Sequence, residues 1–330
     1  MLADILGQSE IAARFLRAWR QQRLAQAYIL NGPDGIGKAP FAVELVKTFL
    51  CREQGDDACE SCPSCRKIKH GNQEDLEILE PTGPGNVIHK DQIDELMNKL
   101  RFRARSGEHR FVIIREADRM AEASANHFLK TLEEPPTRVT FFLLTSHISY
   151  LLPTIISRCQ VVRMHRATAD EIERFLVERG SDEAEAKLYA TLSNGCPGRA
   201  VAMKEFGMFE RRERILARIT GLNAGNEMVA SADMLNENKG QNLAASRAAH
   251  VADLTIMAAL FRDMALLADG AEQSLLYNPD IAGRLQERAA AADPDRLREQ
   301  TLHILEARSN IQKLINPDLV ISELMMDLAS

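Results

Sequence analysis

The sequence predicts an α/β domain on a parallel sheet over residues 1–165, a small helical domain over 166–205 and an all-helical domain over 206–330. Three observations predict it. Short apolar runs without polar alternation, set between helical patterns, are what strands covered on both faces of a parallel sheet require. A glycine-rich loop stands between one such run and a helix. No strand pattern follows about residue 165.

Residues 1–27 read as helical, with Ile11, Phe15, Leu16 and Trp19 at helical spacing. Ala27 to Leu30 is an apolar run ending at Asn31, a buried strand. Glycines follow, then a helix from about Lys38 to Leu50. Residues 51–71 are rich in cysteine and charge, an insertion between ordinary elements. Leu76 to Leu79 is a second strand, Pro81 to Gly85 a loop, Asp91 to Leu100 a helix and Phe111 to Ile114 a third strand. Ala121 to Leu132 is a helix stopped by Pro135 and Pro136. Val139 to Leu144 and Gln160 to Arg163 are the fourth and fifth strands. Asp170 to Arg179 and Glu183 to Leu192 read as short helices, and Asn194-Gly195 with Pro197-Gly198 as a tight turn. From Arg211 onward the pattern is helix, with polar loops around 236–242 and 278–280.

A chain of 330 residues has room for two or three domains, and 45% hydrophobic with 27% charged residues is ordinary for a globular protein. No apolar run reaches the ~18 residues of a membrane span. The start, MLADILGQSEIAARF, lacks a basic segment, an apolar stretch and a small-residue cleavage site, so a cytoplasmic location is expected. The net charge of -6 speaks against a free-standing nucleic-acid binder, which ordinarily has a basic balance. Any DNA contact is expected to be local or shared with partner chains. Six cysteines in a reducing compartment point to metal or buried thiols before disulfides.

Gly32-Pro33-Asp34-Gly35-Ile36-Gly37-Lys38 fits G-x-x-x-x-G-K directly between a strand and a helix. There the glycines let backbone N–H groups approach phosphate oxygens, the helix N-terminus adds positive potential, and Lys38 reaches the terminal phosphates. The pattern normally ends in Ser or Thr, whose hydroxyl holds Mg²⁺; here Ala39 stands instead. The strand Phe111 to Ile114 should deliver an acidic residue at its end for the same ion. Arg115 stands there, followed by Glu116. Mg-dependent hydrolysis is therefore not expected, while occupancy by ATP or ADP stays open. With the strand shifted by a residue, Asp118 would lie beyond it on the loop.

Cys59-x-x-Cys62-x-x-Cys65, with Cys51 upstream, offers four thiolates. Zn²⁺ takes four tetrahedral ligands, and C-x-x-C spacing lets two sulfurs of one turn reach one ion. Four protein ligands leave no open position, so such a site is structural. A redox pair and free thiols are the other readings. Arg66, Lys67 and Lys69 form a basic rim that either touches a partner or DNA or is a solvated face; with Arg52 they offset the charge of a tetrathiolate centre. Cys159 and Cys196 stand alone as small core residues, and His70 is not needed as a ligand.

In order, these pieces resemble the delta-prime subunits of bacterial DNA polymerase III, part of the clamp loader. The resemblance runs through Gly7-Gln8, Gln26-Ala27-Tyr28, the four cysteines, Ile113 to Asp118, Asn126 to Pro136, Thr145-Ser146 and Ser157-Arg158-Cys159. It covers nearly all of residues 1–200 and weakly the rest. It implies an AAA+ (P-loop NTPase-like) domain over 1–165 with a zinc module at 51–71, a helical lid over 166–205 and a helical collar over 206–330 that assembles a hetero-pentamer. It implies that Arg158 enters the ATP site of a neighbouring subunit as an arginine finger, and that Thr145 and Arg199 stand at sensor positions. The implied partners are gamma/tau-type motor and delta-type subunits, with the sliding clamp and primed DNA met through the complex. Such a subunit is no enzyme by itself. Many relatives have no recognisable phosphate loop and the motors have an intact one; this sequence lies between. The alternative is the ATP-hydrolysing gamma/tau-type motor, and a third reading is a free-standing zinc-containing nucleic-acid binder.

Overall fold

Alternate residues of the central apolar runs face opposite ways, and each set meets its own layer of helices. The computed structural model describes residues 1–83, 85–100, 109–134, 138–221, 243–290, 292–313 and 315–329. Strands β1 (Ala27–Asn31), β2 (Leu76–Leu79), β3 (Arg110–Ile114), β4 (Val139–Thr145) and β5 (Gln160–Arg163) form one parallel sheet in the order β2-β3-β4-β1-β5. The register sets Tyr28 beside Phe142 and Gln160, and Ile113 beside Ile78 and Phe142.

Helices α1 (Ser9–Arg20) and α2 (Lys38–Phe49) cover one face, where Phe15, Phe41, Leu45 and Phe49 pack with Tyr28, Phe111, Ile113 and Phe142. Helix α2 buries Phe41, Ala42, Leu45, Val46 and Phe49, the spacing of one helical face. Phe41 is fully buried, so Phe41→Ala is expected to cost about 3–5 kcal/mol. Helix α3 (Pro63–Lys69) belongs to the cysteine insertion. On the other face, Ile29, Val112, Ile114, Phe141 and Leu143 pack with Ile93 and Leu96 of α4 (Lys90–Leu100), Phe128 and Leu132 of α5 (Glu122–Glu133) and Ile155 of α6 (Pro153–Ile156).

The two-faced covering expected for the strands holds at β1, β3 and β4. It fails at the edge, where β5 exposes Gln160, Val161 and Arg163. The helix expected over residues 1–27 is a 3₁₀ turn at Leu2–Asp4 followed by α1. Pro135, Pro136, and the polar loop at 236–242 lie outside the described residues.

Residues 1–172 with 193–200 form one compact unit, and 173–192 with 201–330 a second. The later helices are α7 (Ala169–Val177), α8 (Glu183–Leu192), α9 (Pro197–Glu205), α10 (Met208–Gly221), α11 (Leu243–Ala268), α12 (Ala282–Ala289), α13 (Pro294–Gln312) and α14 (Pro317–Ala329). Within the second unit α11 packs on α10, α12 and α13. The stretch before α12 is pinned by buried charge. Arg212, 1% exposed, grips Asp280 through two hydrogen bonds of 2.9 and 2.6 Å. Asp263 accepts from the backbone N–H groups of Tyr277 and Asn278 at 3.0 and 2.7 Å. Such groups are tolerated in a core because hydrogen bonds replace their lost water. Among the described residues no helix is long and apolar enough to cross a membrane.

Candidate functional site

Strand β1 lies between β4 and β5, so the loop leaving its carboxyl end opens at the strand ends, where α/β sheets place ligands. Gly35 and Gly37 have φ of +78° and +99°, left-handed values that glycine adopts without a Cβ penalty. Gly37 caps α2, its carbonyl accepting from Phe41 N at 2.9 Å. A Cβ on Gly35 would lie 2.7 Å from the backbone nitrogen of Arg199, and Gly35 O accepts from Gly198 N at 2.8 Å. The loop and the turn carrying Arg199 thus pack backbone to backbone.

Lys38 folds onto its own loop. Its ammonium donates to Gly32 O at 2.6 Å, to Pro33 O at 3.1 Å and to Ser146 Oγ at 2.7 Å. Ser146 in turn donates to Asp34. Burial pushes the Lys38 ammonium below its ordinary pKa, against the pull of Asp34 and Asp118. Burial also opposes ionisation of Asp34, but the Ser146 hydroxyl and Lys38 outweigh it and hold the carboxyl low. Ala39 packs against the apolar core.

At the end of β3, Arg115 N continues the ladder by donating to Leu79 O at 2.8 Å, and its guanidinium pairs with Glu80 beyond β2. The arginine is thereby held on the β2 side, while the phosphate loop leaves β1 on the opposite side of β3 and β4. Glu116 takes a left-handed φ of 47° and pairs with Arg119 at 2.5 Å. Asp118 sits on the 3₁₀ turn Ala117–Arg119 and accepts from the hydroxyl of fully buried Thr145 at 2.7 Å. Thr145 also receives His147 N at 3.1 Å. The structure therefore brings together Lys38, Asp34, Ser146, Thr145 and Asp118, and leaves Arg115 out.

Arg158 follows α6, exposed, with Nη2 2.7 Å from Glu133 Oε1 and Nη1 donating to Thr154 O at 3.1 Å. It is distinct from the Lys38 group. Cys159 beside it packs against the core, and burial raises its thiol to about 12.

The sulfurs of Cys51, Cys59, Cys62 and Cys65 all lie within 4.8 Å of one another and could hold a metal ion. The turn is built by N–H groups aimed at sulfur: Cys59 N on Cys51 Sγ at 3.4 Å, Cys62 N on Cys59 Sγ at 3.3 Å and Cys65 N on Cys62 Sγ at 3.5 Å. The Ser61 hydroxyl and the Cys62 N–H lower the Cys59 thiol to about 6. Burial raises that of Cys65. His70 caps the C-terminus of α3 and is exposed.

Residues 7–168 match the family model described as DNA polymerase III, delta subunit, and residues 209–330 match that of its C-terminal part. The chain is 28% identical over 296 residues to DNA polymerase III subunit delta-prime of Bacillus subtilis, spanning 90% of this chain and 88% of that protein. The chain belongs to the delta-prime family of DNA polymerase III subunits. The delta-prime subunit of Escherichia coli is 26% identical over 317 residues, spanning 95% of this chain and 91% of its own length. The tau subunit of Bacillus subtilis is 31% identical, but over only 54% of this chain and 33% of that protein. Likeness to these two delta-prime subunits extends along nearly the whole chain, and likeness to this tau subunit covers about half of it.

Sequence reasoning missed the partners of Lys38. Asp34 is an unspecified position of the loop motif, and Ser146 follows Thr145 without a motif role of its own. Asp118 is legible only as a loop residue beyond β3; that it meets Thr145 follows from β3 lying beside β4.

Proposed function

We propose that this chain is the non-hydrolysing delta-prime subunit of a bacterial clamp loader, an AAA+ assembly that places a ring-shaped clamp on primed DNA. The observation that carries the reading is the delta-prime likeness over 90% and 95% of the chain, C-terminal helices included. Residues 1–165 act as the AAA+ domain, 166–205 as its lid and 206–330 as the collar that joins gamma/tau-type and delta-type subunits in a hetero-pentamer. The gamma/tau-type motor reading is weaker, because its likeness covers 54% of the chain and Ala39 and Arg115 replace the expected Mg²⁺ ligands.

Arg158 serves as the arginine finger of a neighbour's ATP site. Its guanidinium meets the negative charge that spreads over the transferring phosphoryl group, where such a residue contributes about 10³–10⁵ in rate. Its partner Glu133 has a 53% exposed side chain. An exposed ion pair is worth about 0–1 kcal/mol, so Arg158 can leave Glu133 for phosphate at small cost. Thr145 and Arg199 are remnants of sensors: the Thr145 hydroxyl is spent on Asp118, and Arg199 packs against Gly35 of the phosphate loop.

The cysteine site takes Zn²⁺ as a structural ion. Zn–S bonds of about 2.3 Å in a tetrahedron put sulfurs about 3.8 Å apart, and Cys59 Sγ lies 4.0 Å from Cys65 Sγ. Bound there, the ion supplies a cross-link among Cys51, Cys59, Cys62 and Cys65 and no open coordination position. The deciding experiment reconstitutes the loader and measures its clamp- and primed-DNA-stimulated ATPase with Arg158→Ala. A large loss with assembly intact supports the finger; an unchanged rate removes it.

A further inference from the structure

The acidic and basic residues of the cysteine module are sorted by direction. Asp56 pairs with Arg20 of α1. Asp57 accepts from the backbone N–H of Leu2 at 3.0 Å. Glu60 lies 2.6 Å from the buried ammonium of Lys47 in α2. Three of the module's carboxylates are thus spent on fastening it to the first unit. Its cations are treated oppositely. Arg66, Lys67 and Lys69 lie exposed on α3, and among the described residues their side chains have no hydrogen bond or ion pair.

Helix α3 holds these cations in place. Cys62 caps its N-terminus, accepting from Cys65 N, while Cys65 and Ile68 form its buried side. The inward side is therefore sulfur and hydrocarbon, and the remaining positions of the last turns carry positive charge. Cations near a helix C-terminus are favoured by the helix dipole, by about 0.3–1 kcal/mol each. That accounts for one or two of the three. In a chain of net charge -6, three cations thus stand together on the outer side of α3 with no carboxylate partner among the described residues, beside a sulfur cluster whose charge they offset only through space.

We propose that the outer face of α3, through Arg66, Lys67 and Lys69, binds the phosphate backbone of duplex DNA. Helix α3 offers charge and carries no aromatic side chain, so it reads backbone and not sequence. Its biological setting rests on the clamp-loader reading, in which primed DNA is the polyanion presented to the complex. The physical contact can be tested without that reading.

The test measures binding of a short duplex to the full chain alone, and of primed-template DNA to the reconstituted loader, across a salt series. The variant is Arg66→Gln, Lys67→Gln, Lys69→Gln, with metal content checked. Each phosphate contact contributes roughly 0.9 to the slope of log K against log salt. The triple variant is expected to flatten that slope by about 2–3 with its metal retained. Should the triple variant lose metal, Lys67→Gln alone is expected to flatten it by roughly 0.9. An unchanged slope overturns the proposal. So does an unchanged DNA slope with weakened subunit assembly, which would make the face a protein contact. Failure of the chain to assemble, with the slope change intact for the chain alone, would count against the loader reading and leave this one standing.

Discussion

Lys47 Nζ lies 2.6 Å from Glu60 Oε1 and 2.8 Å from Glu44 Oε1, so one ammonium ties the helix after the phosphate loop to the turn between Cys59 and Cys62. Lys47 is 5% exposed. Burial works against its charge, and the two carboxylates more than restore it. Removing the ammonium leaves Glu44, 19% exposed, without its partner, while Glu60, 38% exposed, can turn to water. Lys47→Ala is expected to cost about 1–3 kcal/mol in urea unfolding. A loss near zero would mean that the ammonium is as well served by water.

Stripping the metal should act through the same link. Without a common ion the four sulfurs have no reason to stay together, and the Glu60 turn is released. Chelation is expected to remove about one Zn²⁺ per chain and to lower the melting midpoint. Amides of α2 around Lys47 should then exchange faster while those of α13 do not. Uniform exchange before and after chelation would separate the module from α2 and defeat this account.

Thr145 and Asp118 make the second consequential pair. The threonine is fully buried and its hydroxyl satisfies a carboxylate that is 11% exposed. Thr145→Val keeps the shape and removes the donor, at an expected cost of about 1–3 kcal/mol. If instead stability is unchanged, Asp118 has found water, and the bond at the end of β4 is incidental.

How much of this could be read beforehand divides along physical lines. The sheet was legible because Ile29, Ile113 and Phe142 belong to uninterrupted apolar runs, a pattern local to each strand. The sulfur cluster was legible because its four cysteines all fall between Cys51 and Cys65. The pairing of Arg115 with Glu80 and of Thr145 with Asp118 was not, because each joins residues from different strand ends and depends on the order β2-β3-β4-β1-β5. The sorting of Asp56, Asp57 and Glu60 toward α1, the N-terminus and α2 was hidden for the same reason. A charge count along the chain carries no direction.

Acid should weaken the fold through two histidines. Burial lowers the pKa of His109, with Arg138 adding to it. Burial also lowers that of His250, against the pull of Asp253 and Asp318 and with the help of Arg211. Folded values below the unfolded value of about 6.5 mean that the unfolded chain binds these protons first. The stability they contribute is complete above that pH and is lost as pH falls through their folded values. Urea midpoints should decline below about pH 6.5. His109→Gln with His250→Gln should flatten the decline in that range; a variant that tracks the parent protein would assign it to other groups.

The loop that carries Lys38 offers the sharpest test of the non-hydrolysing reading. Mg²⁺ there would need the hydroxyl that Ala39 lacks and the carboxylate that Arg115 replaces. Lys38 meanwhile is satisfied by Gly32 O, Pro33 O and Ser146. The chain alone should therefore turn over no ATP, and neither Ala39→Thr nor Arg115→Asp should be enough, since each restores one ligand of two. Turnover by the unaltered chain that Lys38→Ala abolishes would sink this reading and restore the motor alternative, because Lys38 would then act on phosphate without either metal ligand.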